Sequence, residues 1–253
     1  MTFDSIVKGL TAAIVAFVSS VSGCYKRGVA GPELVVNDAY FSDLSAFDLA
    51  SFHTDNLGFV DLAHSKNPTL KMGLVTPQKD YSDTDMDRIL SYGLEYWCWG
   101  NELKSVDLTK LQAWVNKVAG RTKTCVTFNY ETMGAIDFNS LSFLSFVAFT
   151  TYPWMKYAKV SDIPADYFSK MPDKFAITET AWPSVNYNGI VGSEDEQVNF
   201  AKRLGSDSKI TKALYVSWFF LNDYTDIQLP FGKASLRNVD HTPKKVYQAW
   251  KVK

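Results

Sequence analysis

Two glutamates stand where an apolar run gives way to polar residues. Glu102 ends the stretch Leu94-Glu-Tyr-Trp-Cys-Trp-Gly-Asn-Glu102, and Glu179 directly follows Phe175-Ala-Ile-Thr178. A carboxylate at the end of a buried strand is costly unless solvent, a cation or a reaction makes use of it. Two of them brought into one cleft could divide acid–base work between them. One carboxyl would protonate a leaving oxygen while the other attacks carbon or activates water, which is the equipment of glycosidic-bond cleavage. Such a pair works only if its surroundings separate the two pKa values, so that one carboxyl stays protonated near neutrality and the other ionised.

The elements that must position them alternate along the chain. Strands are expected at Leu94–Trp99, Cys125–Phe128, Phe146–Thr151, Phe175–Thr178 and Ala213–Trp218. Leu108, Leu111, Val115 and Val118 recur at helical spacing between the first two. A short helical segment is expected after Pro164. Ser193-Glu-Asp-Glu196 reads as a capping box opening a helix that Gly205 stops, and a last helix begins near Pro243. The strand-to-strand steps are each about 30 residues, the size of a right-handed βαβ unit. Continuous apolar strands alternating with helices argue for a parallel sheet covered on both faces. The expected fold is therefore α/β, a compact (β/α)8 TIM barrel, with the strand at 94 as the fourth and that at 213 as the eighth. Strands four and seven then face each other across the mouth, at the carboxyl ends that carry chemistry in such barrels. The N-terminal third supplies strands at Leu70–Val75 and Phe47–Phe52, a helix from Ser82 to Tyr92, and a weaker strand at Glu33–Val36. It is short for three full units, so the expectation allows a shortened or degenerate first βα unit.

Composition narrows the partners. The chain has 253 residues, 46% hydrophobic and 21% charged, which fits one large domain, taken as residues 24–253. A net charge of −1 gives no reason to expect a polyanionic partner and disfavours nucleic-acid binding. Aromatics reach 15%, and such rings either pack a core or offer flat faces to sugars. At the N-terminus Lys8 precedes an apolar run, Leu10–Val18, which ends in small residues before Cys24. The run is too short to span a bilayer as a mature helix and reads as a signal peptide over residues 1–23. Val21-Ser-Gly-Cys24 resembles a bacterial lipobox, which implies lipidation of Cys24 and a membrane contact through that anchor. The expected location is outside the cytoplasm, as a membrane-anchored lipoprotein in the periplasm or at the cell surface, or otherwise as a secreted protein. Cys98 and Cys125 lie in apolar, strand-like settings and are expected as buried free thiols. Three scattered histidines offer no metal-ligand spacing, so neither metal nor cofactor is expected, and the protein is expected to be a monomer.

Gly100-Asn101-Glu102 and Glu179-Thr-Ala-Trp-Pro-Ser184 resemble the motifs of retaining glycoside hydrolases of clan A. The pattern is most similar to that of the endo-β-1,3-glucanases of plant and fungal type, and the β-1,4-galactanases are similar at Gly-Asn-Glu. The resemblance implies Glu102 as general acid/base and Glu179 as nucleophile, with Asn101 donating to the sugar 2-hydroxyl. It also implies that Tyr152, in Thr151-Tyr-Pro-Trp154, hydrogen-bonds the nucleophile, and that Trp218 forms an aromatic floor under the sugar. The tail from Phe231 to Trp250 is similar to the closing helix of such barrels, and the likeness spans roughly residues 69–253. It departs from the family near Phe52, where no arginine closes strand two. Further candidates for sugar contact are Trp182 beside Glu179, Asn129 at the end of strand five and His53 after strand two. Trp97 and Trp99 share one face of their strand and are expected to pack the barrel interior or the helix layer. The expected activity is retaining hydrolysis of a β-linked glucan or related polysaccharide or oligosaccharide. The alternatives are a non-catalytic glycan-binding surface lipoprotein and a transglycosylase that remodels an envelope glucan.

Overall fold

Strand segments follow one another in chain order, all parallel. They are β1 (Lys26–Gly31), β2 (Leu49–His53), β3 (Met72–Thr76), β4 (Tyr96–Trp99), β5 (Lys123–Cys125), β6 (Thr127–Asn129), β7 (Val147–Thr151), β8 (Phe175–Thr180) and β9 (Tyr215–Phe219). This computed structural model describes residues 25–31 and 38–252. The strands neighbour one another in the order β5-β4-β3-β2-β1-β9-β8-β7-β6. Only Val126 separates β5 from β6. The first half pairs with β4, Cys98 opposite Cys125, and the second with β7, Phe128 opposite Phe149. The two are halves of one strand that bridges both edges, so the sheet closes into a (β/α)8 barrel of eight positions. Helices α1 (Asp38–Asp43), α2 (Leu57–Lys66), α3 (Asp83–Ser91), α4 (Leu108–Val118), α5 (Glu194–Ser206) and α6 (Lys245–Trp250) belong to the outer layer.

The sequence placed the first strand poorly. Glu33–Val36 lies outside the described residues, as do Cys24 and the expected signal peptide. The first barrel position is filled instead by β1, whose sequence Lys-Arg-Gly-Val-Ala-Gly carries little strand propensity. Neighbours impose its conformation, since β1 pairs with β2 on one side and β9 on the other. Gly28 is needed there because a Cβ would lie 2.7 Å from Ser217 Oγ. The helix expected after Pro164 is absent. Among the described residues, β7 and β8 are joined by turns and two 3-10 segments, Pro153–Met155 and Val160–Asp162. α5 also runs past Gly205 to Ser206. Its Ser193 cap accepts from Glu196 N, but the Glu196 carboxylate reaches Val160 N at 3.0 Å rather than closing the capping box.

Side-chain alternation along the strands sorts residues between lumen and helix layer. Leu49, Val75, Tyr96, Cys98, Cys125, Ala148, Ala176 and Tyr215 form the lumen cluster. Their neighbours Trp97, Trp99, Phe149, Ile177, Val216 and Trp218 belong to the larger outer core. Trp97 and Trp99 thus face the helices. Both meet Trp114 of α4, edge-on at 5.3 Å and stacked at 6.1 Å respectively. The expectation of two free thiols is overturned. Cys98 and Cys125 are register partners on adjacent strands and form a disulfide inside the lumen, with Cα atoms 4.3 Å apart. Parallel pairing of two lumen-facing positions brings the sulfurs together. The separation of the cysteines along the chain conceals this.

Candidate active site at the mouth of the barrel

Glu179 lies inside β8, not after it. Strict alternation would place it with Ile177 on the helix side, since Ala176 is a lumen residue. The register shifts by one residue against both neighbours between Ile177 and Thr180. A bulge of this kind resets the parity of a strand and re-aims the next side chain. Glu179 is turned toward the mouth as a result, where it is only 6% exposed.

Both of its oxygens are engaged. The Tyr152 hydroxyl donates to Oε1, and His53 Nδ1 lies 2.9 Å from Oε2. These partners stand at the carboxyl ends of β7 and β2. Burial, and next the charge of Glu179, push the Tyr152 phenol well above the ordinary tyrosine range, so it remains a donor. The His53 tautomer follows from a chain of hydrogen bonds that starts deeper in the barrel. Tyr96 OH donates to Ser51 Oγ at 2.7 Å, and Ser51 Oγ lies 3.3 Å from His53 Nε2. With Ser51 donating to Nε2, the ring proton sits on Nδ1, the nitrogen in close contact with Glu179, although that contact lacks hydrogen-bond geometry. Gly73 makes room for it, because a Cβ there would lie 2.1 Å from Tyr96 Cζ.

Glu102 is held differently. After β4 the chain turns through Gly100 at φ +110° and Glu102 at φ +51°, then rejoins the sheet through Leu103 N to Thr127 O at 2.9 Å. Glycine suits the first position twice over, since a Cβ would also press on Leu103 Cδ1 at 2.7 Å. A glutamate in left-handed backbone costs about 1 kcal/mol or more, and such strain gathers at functional positions. The Glu102 side chain reaches toward the mouth, where Asn129 Nδ2 meets Oε1 at 3.5 Å. Desolvation at the barrel rim, and then the nearby charge of Glu179, raise its pKa above the usual carboxylate range. A carboxyl whose pKa is raised thus stands near a second carboxyl contacted by the Tyr152 hydroxyl and His53, a division suited to acid and nucleophile.

The structure brings together Glu102, Glu179, His53, Tyr152 and Asn129. Asn101 is exposed on the turn beside them. Two candidates are corrected. Trp218 and Trp182 are fully buried. Trp218 donates to Ala234 O and packs on Trp250, while Trp182 donates to Val191 O and packs on Phe200. Neither has a face free for a sugar. The lumen parity of β9 instead gives Phe219 to the mouth. Together with Phe231 it surrounds the Tyr152 ring, and both remain partly exposed. Sequence reasoning also missed Ser51, Tyr96 and Glu131. The period-two pattern running back from His53 through Ser51 was the available signal.

No family model matches the chain, and no curated protein matches it in sequence. Its fold is similar to that of solved enzymes. A β-1,3-glucanosyltransferase from Rhizomucor miehei, solved as an active-site mutant with laminaritriose, superposes with a TM-score of 0.68 at 13% identity, over 88% of this chain and 97% of that one. Xylanase 10B from Thermotoga petrophila gives 0.55 at 10% identity, over 93% and 94% of the two chains. A psychrophilic family 10 endo-β-1,4-xylanase gives 0.54 at 12% identity, over 89% and 95%. At these identities the likeness establishes the (β/α)8 barrel, and the neighbours that share it are glycoside hydrolases and a glucanosyltransferase.

Proposed function

We propose that the protein is a retaining glycoside hydrolase acting on a β-linked glucan or related polysaccharide or oligosaccharide. Glu179 is its nucleophile and Glu102 its general acid/base. The observation that carries this reading is the arrangement of the two carboxyls on β8 and after β4. One is gripped by His53 and Tyr152, and the other is pushed toward its protonated form. In the first step a Glu179 oxygen bonds to the anomeric carbon as the glycosidic C–O bond breaks, and the Glu102 proton passes to the leaving oxygen. In the second, Glu102 takes a proton from water, whose oxygen attacks the anomeric carbon and frees Glu179. A sugar hydroxyl in place of that water would make the same site a transglycosylase. The likeness to a glucanosyltransferase keeps this as the second reading. Retention requires the carboxyls to face one another at about 5–5.5 Å. No step calls for a metal or cofactor.

The chain is further proposed to be exported as a monomer and anchored through Cys24. Among the described residues no helix is long and apolar enough to cross a membrane. Cys24→Ser should release the protein from the membrane fraction, and unchanged association would remove the anchor from the proposal.

The deciding experiment incubates the purified protein with β-glucans and β-galactans and follows products and their anomeric configuration by NMR. Initial release of the β-anomer, or transfer with the β-link kept, supports the reading. Binding without turnover would leave a non-catalytic glycan-binding protein. Substantial turnover by folded Glu179→Gln would overturn the assignment of roles.

A further inference from the structure

Resting on the reading of Glu179 as nucleophile, we infer that Glu131 is a positioning residue whose carboxylate fixes the chain segment that presses the Tyr152 phenol onto Glu179. Glu131 stands two residues past β6, on a loop with no part in the proposed chemistry. Its Oε1 accepts three hydrogen bonds: from Thr151 Oγ1 at 2.6 Å, Tyr152 N at 2.8 Å and Tyr167 OH at 2.5 Å. Its Oε2 is buried and has no hydrogen-bond partner among the described residues. The three bonds on the other oxygen come from two separate segments, Thr151–Tyr152 and Tyr167, and tie them together.

What they hold is the exit of β7. Tyr152 leaves the strand at φ −130°, ψ 85° and is followed by Pro153, which has no N–H to anchor the turn. The Tyr152 N–H and the Thr151 hydroxyl both go to Glu131, while Tyr152 O accepts from Met155 N in the turn that follows. The Tyr152 ring lies among Trp154, Phe231 and Phe219, with centroids 4.6, 4.9 and 5.8 Å away. Apolar packing is non-directional and does not by itself fix the height of the ring along the barrel axis. The bond from Glu131 to the Tyr152 backbone sets that height, and with it the reach of the phenol to Glu179. Glu131 also adds negative charge near the site. The groups facing Glu102 are Glu179 on β8, His53 on β2, and Asn129 and Glu131 at and after β6. The contribution of Glu131 to Glu102 is the smallest of these, so its main action is through Tyr152.

The test compares Glu131→Ala, Glu131→Gln, Tyr152→Phe and the Glu131→Ala/Tyr152→Phe double variant on two aryl β-glucosides. One has a dinitrophenolate leaving group, which needs no acid, and the other a poor leaving group. Glu131→Ala should lower kcat by about 10- to 100-fold on both, with KM little changed, because a displaced nucleophile slows glycosylation whatever the leaving group. Glu131→Gln should recover most of the loss, since its amide oxygen can accept the same bonds. The double variant should be no slower than the worse single, the signature of two residues acting as a unit. Multiplying losses, or a Glu131→Ala that lowers Tm and leaves kcat intact, would overturn the inference. A readout independent of turnover is the 13Cζ resonance of Tyr152, which Glu131→Ala should shift as Glu179→Gln does. An unmoved resonance would also overturn it. A wild-type protein inactive on both glucosides and on the polysaccharides would count against Glu179 as nucleophile, and the resonance would still decide the role of Glu131.

Discussion

The two ends of the barrel mouth that carry the glutamates are built in opposite ways. Glu179 sits within a strand, its direction set by a bulge that both neighbouring strands register, and each oxygen has a partner on a different strand. Glu102 sits outside its strand, in left-handed backbone at an exposed rim, with a long amide contact from Asn129. Yet its loop is not loosely attached. The Cys98–Cys125 disulfide ties the strand before it to the strand after it, and Leu103 rejoins the sheet at Thr127. The difference matches the two chemical tasks proposed for these residues. A nucleophile must hold a fixed attack position, so its support is rigid and many-sided. A proton donor that later becomes a base benefits from surroundings that disfavour its charge, which a crowded rim beside another carboxylate supplies.

The largest expected effects come from breaking each side in turn. Glu179→Gln should remove turnover by several orders of magnitude on every substrate, because no leaving group replaces a nucleophile. Glu102→Gln should cost about 10²- to 10⁴-fold on polysaccharide but far less in the glycosylation of a dinitrophenyl glycoside. Single-turnover rates on the two substrates check this. Equal losses in both variants on both substrates would erase the distinction between the two ends.

Next in size is the disulfide. Replacing Cys98 and Cys125 by alanine reopens a 27-residue separation and should lower unfolding free energy by about 3 kcal/mol, measured by denaturant titration. The acid-dependent step should suffer more than the nucleophilic one, because the released segment carries Glu102. A variant as stable as the parent would show that the sheet alone holds this loop.

This contrast also explains what the sequence could and could not reveal. Most strands and helices were legible because apolar periodicity reports burial, and the two glutamates because a carboxylate at or near a strand end is conspicuous. The fine aiming was not. The bulge that turns Glu179 inward changes one residue of register, which composition does not report. The same parity buries Trp218 and leaves Phe219 partly exposed at the mouth. β1 was obscured because its strand conformation is imposed by β2 and β9 rather than by its own residues. The disulfide was hidden because it depends on cross-strand register, which only the closed barrel sets.

A smaller effect should come from the backbone at Glu102. Glu102→Gly removes the Cβ from a residue at φ +51° and should stabilise the fold by about 1 kcal/mol or less, while abolishing acid catalysis. Thermal unfolding checks it. A Glu102→Gly protein that unfolds at lower temperature than the parent would mean that the turn is not strained and that its geometry suits glutamate.

The smallest effect is a pH dependence, and its sign follows from the same end of the mouth. Burial and the charge of Glu179 raise the Glu102 pKa in the folded protein above its value in the unfolded chain. Below the unfolded pKa, near the ordinary glutamate value of about 4.3, the carboxyl is protonated in both states and nothing is lost. As pH rises through the folded pKa, the unfolded chain has already released its proton while the fold resists doing so, and stability falls. Glu102→Gln carries no such proton. Its Tm should therefore lie close to that of the parent in acid, apart from any constant packing offset, and rise above it as the pH approaches neutrality. The shift should shrink in added salt to the extent that it comes from Glu179, because repulsion at a solvent-exposed rim is screened. If the difference instead narrowed with rising pH, Glu102 would be stabilised as an anion, and its place as the proton donor opposite Glu179 would be lost.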